Sequence, residues 1–233
     1  MDIYHHGKRF LCSLDEALLD AMDGSAIVTI THPVRCYGAF LSWDLFAHWY
    51  RGLQIRHVDE VIMDVPQKFR LDIDVPAKVW MDEGTWATII DTIDATLRST
   101  FVIHGMDPTV IRYYSHSPTS NKRSCHMVVC NYVFDDHNQC RSLCYAIKAA
   151  VGGQCAGYID GSVYKAVQNF RIEGSSKPSE DRPKVRWCLS PSINGLLDGM
   201  VTCTKDTRPI TDSMRRMIDQ WMDTNMIDDH PSQ

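Results

Sequence analysis

The stretch FRLDIDV occupies residues 69–75, and its alternation decides the architecture. Residues i and i+2 of a strand share a face. Phe69, Leu71, Ile73 and Val75 therefore form a buried face, while Arg70, Asp72 and Asp74 point together to the other side. Two carboxylates two residues apart on a strand reach one or two divalent cations. Hard Mg2+ or Mn2+ prefers such oxygen ligands, with phosphates completing the shell. A strand with a solvated face gives the same DxD pattern, so the motif gains meaning only from what lies elsewhere in the chain.

Outward from this strand the pattern alternates between helical and extended periods. Ser13-Leu14-Asp15-Glu16 is a capping box before an apolar run, with Gly24 as a stop. Residues 26–31 read as a strand. Ser42 opens a second helix through Trp43, Leu45, Phe46 and Trp49 to Gly52. Residues 60–75 hold one or two strands, broken at Pro66. Trp86, Ile89, Ile90, Ile93, Leu97 and Phe101 have helical spacing, which predicts a long helix with one face on a sheet. Residues 109–116 and 122–132 read as strands joined by the turn-rich SPTSN, a hairpin. A helix over 136–151 ends at Gly152-Gly153, strands follow at 168–173 and 185–189, and a last helix covers 211–222. No repeat or linker divides the chain. The expectation is one α+β unit with a mostly antiparallel sheet and helices.

Composition narrows the class. The chain has 233 residues, 44% apolar and 23% charged, enough for a large core in a globular protein. No apolar run approaches the length of a bilayer span, and MDIYHHGKRF lacks the apolar segment of a secretory signal. Nine scattered cysteines then predict reduced thiols and an intracellular location. His137, Cys140 and Cys144 share a predicted helix, but no second CxxC-type pair completes a structural zinc site, so none is expected. A net charge of −5 argues against a wholly basic nucleic-acid binder. It leaves room for a local basic groove, and residues 165–186 carry an excess of positive charge.

Two further stretches can carry chemistry. In NKRSCHMVV, residues 121–129, Lys122, Ser124 and His126 share one strand face. A cation, a hydroxyl and an imidazole in one row suit a polyphosphate. A serine nucleophile activated by His126 is not expected, because side chains at i and i+2 sit well apart. In YIDGSVY and NFRIEGSSK, Asp160 lies in a turn and offers a third carboxylate, Asn169 and Arg171 share a face, and Gly174-Ser175-Ser176 turns Lys177 back toward them. Exposed strand faces and a basic hairpin without a ligand are the plainer alternatives. Together the three stretches describe an acidic metal cluster facing phosphate-binding cations, the parts list of two-metal nucleotidyl transfer.

Their order and spacing resemble the archaeo-eukaryotic primase superfamily, in its viral primase and PrimPol-like branch. The matching residues are Asp72-Ile-Asp74, Lys122-Arg-Ser124-Cys-His126, and Asp160-Gly-Ser-Val-Tyr164 through Asn169-Phe-Arg171 to Ser175-Ser176-Lys177. The third motif is the most specific, since it constrains several residue types along one run. The resemblance spans about residues 60–190; the first 50 residues and the acidic tail have no counterpart in it, and nothing resembles a helicase. The resemblance implies a two-module primase palm with an RRM-like sheet in the second module. The whole chain, 1–233, would be one catalytic domain, either a compact primase or a domain excised from a longer protein.

By the same resemblance Asp72, Asp74 and Asp160 would ligate two Mg2+ or Mn2+ ions, with His126 beside them in the catalytic set. Lys122, Ser124 and His126 would contact the triphosphate, Arg171 and Lys177 would complete the grip, and Asn169 would touch the sugar. The implied activity is template-directed primer synthesis on single-stranded DNA from NTPs or dNTPs, with a replicative helicase as the natural partner and no membrane. Three alternatives remain at this point. A polymerase-β-like nucleotidyltransferase needs a Gly-Ser just before its DxD, whereas Gly24-Ser25 is far upstream. A DxD glycosyltransferase explains the metal but not the row ending in His126. A catalytically inactive nucleic-acid-binding subunit explains the basic segment but not the carboxylates.

Overall fold

The computed structural model describes residues 3–22, 25–31, 34–54, 56–79, 83–115, 121–178, 180, 182–191 and 194–225. Gly24, most of the SPTSN turn and the acidic end lie outside the described residues. In chain order the elements begin with β1 (Ile3–His5), β2 (Lys8–Phe10), α1 (Leu14–Leu19), β3 (Ala26–Thr31), β4 (Arg35–Phe40), α2 (Trp43–Arg51) and β5 (Val58–Ile62). They continue with β6 (Arg70–Pro76), α3 (Glu83–Ile103), β7 (Val110–Ser115), β8 (Lys122–Val129), β9 (Tyr132–Val133) and α4 (His137–Val151). The last are α5 (Gly153–Ala156), β10 (Gln168–Arg171), β11 (Val185–Arg186), β12 (Arg208–Pro209) and α6 (Asp212–Asn225), with single 3-10 turns at Gly161–Val163 and Gly195–Gly199. Helix starts are chemically marked: the side chains of Ser13, Ser42 and Asp136 accept from the backbone N–H three residues on.

Two four-stranded antiparallel sheets carry the chain, ordered β10-β5-β3-β4 and β11-β7-β8-β6. This agrees with an α+β class and antiparallel pairing. It replaces the single sheet expected from sequence, because the break at Pro66 is where the chain leaves one sheet for the other. The first sheet is covered on both faces. Leu14 and Leu18 of α1 pack on Ile27, Ala39 and Val61, while Phe46 and Tyr50 of α2 pack on Val28, Ile30 and Phe40. The second sheet is covered by helices on one face. Phe69, Leu71, Ile73 and Val75 join Cys125, Met127 and Val129 under α3, α4 and α6, as the alternation predicts. A small cluster containing Ile62, Ile111, Val128 and Phe170 bridges the sheets. The other face of the second sheet is thereby turned toward the β10 edge of the first.

Three strand predictions change. The 122–132 strand ends at Val129, and after a turn Tyr132–Val133 pairs in parallel with Arg208–Pro209. The 185–189 strand is only Val185–Arg186, although Trp187 N still donates to the Arg112 carbonyl at 2.9 Å. The 168–173 strand stops at Arg171, where the chain begins to turn toward Gly174. Among the described residues no helix is long and apolar enough to cross a membrane. All nine cysteines are free thiols.

Candidate active site

Strand register brings the first two motifs together. β6 and β8 pair so that Asp72 lies opposite His126, Asp74 opposite Ser124 and Pro76 opposite Lys122. Directly opposed residues on one face are in contact range. Ser124 Oγ donates to Asp74 Oδ1 at 2.5 Å, and Lys122 Nζ pairs with Asp74 Oδ2. The third carboxylate arrives by covering the free edge of β6. Asp74 N donates to the Tyr158 carbonyl at 2.9 Å, and Asp160 N donates to the Asp72 carbonyl at 2.8 Å. Asp160 then caps the 3-10 turn by accepting from Ser162 N at 2.8 Å.

The opposite wall comes from the edge of the first sheet. β10 presents Asn169 and Arg171, and the following turn presents Lys177. All nine residues expected from sequence line one cleft of about 480 Å³. The Gly-Ser-Ser turn has a structural task. Gly174 sits at φ 82, where a Cβ would come within 2.9 Å of Arg56 Nη1. Its N–H donates to the Lys184 carbonyl at 2.7 Å. Ser175 is fully buried, accepting from Val58 N at 3.3 Å and sharing a 2.8 Å hydrogen bond with the Tyr50 hydroxyl. The serines clip the turn to β5 and α2, and the turn carries Lys177 to the cleft.

Arg70 lies on the strand face expected, with Asp72 and Asp74, but it is fully buried. Its guanidinium donates to Gln67 Oε1 at 2.8 Å and to the Val163 carbonyl at 2.6 Å. It also lies 4.8 Å from the centre of the Tyr164 ring and 5.5 Å from that of Phe170. One side chain thus ties β6 to the turn after Asp160 and to β10.

Sequence reasoning missed four residues of this site. Asp59 of β5 lies opposite Arg171 and lines the cleft. Arg35 enters from the start of β4. Arg182 lines the cleft with its side chain 5% exposed, 2.8 Å from Glu180. Lys184 is buried beneath Phe170, 4.0 Å from the ring centre, and donates to the Arg171 carbonyl. The basic run at 165–186 was visible in the sequence, but which of its members are buried depends on how the turn folds back.

Burial and crowding set the charge states. Burial pushes the Asp72 carboxyl up to about 6, helped by the like charges of Asp74 and Asp160 and opposed by Lys184 and Lys122. Burial, then the cations Lys184, Arg171, Arg70 and Lys122, hold His126 well below the usual imidazole range. His126 is therefore neutral near pH 7, with its ring 4.6 Å from Phe170 and Nε2 3.3 Å from Asp72 Oδ1, outside hydrogen-bond geometry. Burial raises Asp59, with Arg171 opposing, and lowers Arg171, with Asp59 opposing.

The donor set fits a hard divalent cation bound together with an anion. Asp72 Oδ1 is buried and has no hydrogen-bond partner among the described residues. The ligand shell is not a closed protein cage. Among the described residues no three His, Cys, Asp or Glu side chains are gathered tightly enough to hold an ion unaided, and Asp74 is turned to Lys122 and Ser124. Of the helical trio considered for zinc, Cys140 and Cys144 are buried in the apolar core under the second sheet, and His137 Nδ1 lies 2.7 Å from Asp64 Oδ1. Compared with known proteins, the chain matches no protein-family model and shows no significant similarity to a curated protein.

Proposed function

We propose that the chain is a primase-type nucleotidyltransferase that joins nucleoside triphosphates on a single-stranded DNA template. One observation supports this above the others: three carboxylates on and beside β6 share a cleft with Lys122, Arg171 and Lys177, drawn from both walls. Asp72, Asp74 and Asp160 would hold two Mg2+ or Mn2+ ions. When bound, such ions lower the pKa of an attacking hydroxyl and neutralise charge on a leaving pyrophosphate. An incomplete protein shell accords with this, because substrate phosphates supply the remaining ligands.

The chain's own residues then do the positioning. The triphosphate lies between the walls, with Lys122 and Ser124 contacting it from β8 and Arg171 and Lys177 from the β10 side. Lys122 exchanges Asp74 for phosphate as the ligand enters. Neutral His126 offers one N–H to a phosphate oxygen, its ring oriented by Phe170. Asn169 faces the sugar. The 3′-oxygen of the growing strand attacks the α-phosphorus in line, the bond to the bridging oxygen breaks, pyrophosphate leaves and the hydroxyl proton passes to water. Holding the reactants aligned and supplying charge to the phosphates accounts for most of the acceleration in such transfers.

Calorimetry with a nonhydrolysable triphosphate analogue tests this. Binding is expected to require Mn2+ or Mg2+, and Arg171→Ala and Lys177→Ala are each expected to weaken it about tenfold, the loss of one charge-assisted contact. Metal-independent binding, or turnover of a nucleotide-sugar, would contradict the proposal.

A further inference from the structure

We propose that a second cavity beside the catalytic cleft takes an unpaired nucleobase of the template strand, an inference that rests on the nucleotidyltransferase reading. The cavity measures about 390 Å³ and is walled by Trp86, Tyr114 and Trp187 with Arg112 and Arg123. Ser124 borders both it and the cleft. The cavity opens on the α3 face of the second sheet and the cleft on the other, so an occupant would lie across the start of β8 from the triphosphate site. Nothing in the three sequence motifs accounts for this aromatic group.

Its chemistry selects a base over a phosphate. The guanidiniums already have acidic partners: Arg112 pairs with Asp91 and Asp94, each at 2.7 Å, and Arg123 pairs with Glu83. Glu83 and Asp91 also line the cavity and would repel an anion. What the walls offer instead is ring surface. Trp187 and Tyr114 meet edge-on with centroids 6.4 Å apart, and Tyr114 meets Trp86 likewise at 5.9 Å. The Arg112 guanidinium lies 4.7 Å from the Trp187 ring centre. Stacking on such rings holds single strands without regard to base identity, because every base has a π-face. The rings are held in place by one another and by the Arg112 ion pairs, so little ordering entropy is lost on binding.

The test is fluorescence anisotropy with a labelled single-stranded oligonucleotide, without metal or nucleotide. Trp187→Ala is expected to weaken binding about tenfold, and Trp187→Phe to restore most of it. Trp187 is partly exposed, so circular dichroism should show an unchanged fold. Affinity for the triphosphate analogue should not change, and in incorporation assays the template KM should rise while kcat holds. Wild-type oligonucleotide affinity in Trp187→Ala would overturn the inference. So would a loss confined to the free nucleotide, which would assign the cavity to the incoming base. If the wild-type protein incorporates nothing yet oligonucleotide binding still depends on Trp187, the catalytic proposal falls and the base pocket stands.

Discussion

Replacing Asp72 with Asn is expected to abolish nucleotide incorporation and to stabilise the metal-free fold. The two effects have one cause. Asp72 is held between Asp74 and Asp160 in a largely buried position, and its carboxyl is pushed up to about 6. The unfolded chain ionises this group near pH 4, so between about pH 4 and 6 the unfolded state releases its proton first. Stability from this residue therefore falls as pH rises through that window, and the full penalty persists above it. Asn carries no such penalty, and at pH 7 the gain should be about 1–3 kcal/mol, the equivalent of up to about two pKa units. On the proposed two-metal chemistry, losing the Asp72 charge should lower kcat by about three orders of magnitude, below detection in an incorporation assay. Thermal melts from pH 4 to 8 read the first effect as a wild-type-minus-variant difference that grows with pH. A variant no more stable than wild type at pH 7 would show that Asp72 is not under the strain the geometry describes.

Arg70→Ala should have the opposite sign and a larger size. Truncation leaves a cavity beneath β6 and strips the Val163 carbonyl and Gln67 of their donor. Removing a fully buried, hydrogen-bonded cation of this kind costs about 3–5 kcal/mol. The damage should also reach function, because Arg70 ties together the strand that bears Asp72, the turn after Asp160 and the strand that bears Arg171. Urea denaturation and triphosphate-analogue binding, measured on the fraction still folded, separate the two. Arg70→Met restores volume but not the hydrogen bonds, so it should recover only part of the stability. A loss below about 1 kcal/mol for Arg70→Ala would mean that the three segments hold one another without it.

Period and capping made much of this fold legible. The period-two pattern at 69–75 assigned the buried face of β6, and helical spacing from Trp86 to Phe101 assigned the buried face of α3. Shared strand faces also grouped Asp72 with Asp74, and Lys122 with Ser124 and His126. Two kinds of information were not local. Register, which opposes Asp72 to His126, depends on how β6 and β8 meet, and the motif spacing does not encode it. Burial of a charged residue depends on what covers it, so Arg70 read as a companion of the carboxylates and Lys184 only as part of the basic excess at 165–186. The aromatic cavity escaped for the same reason: Trp86 of α3, Tyr114 of β7 and Trp187 just after β11 are neighbours only in space.

Primer synthesis is the decisive assay for nucleotidyl transfer at this cleft. Single-stranded DNA is incubated with labelled NTPs or dNTPs and Mn2+ or Mg2+, with and without a primer, beside Asp74→Ala. The expected result is metal-dependent product whose composition follows the template, formed without a primer and absent in the variant. Primer-dependent product alone would keep the transfer chemistry and remove unaided initiation. No product from the wild-type protein under any of these conditions, or equal product from Asp74→Ala, would contradict the assignment of this cleft as a nucleotidyl-transfer site.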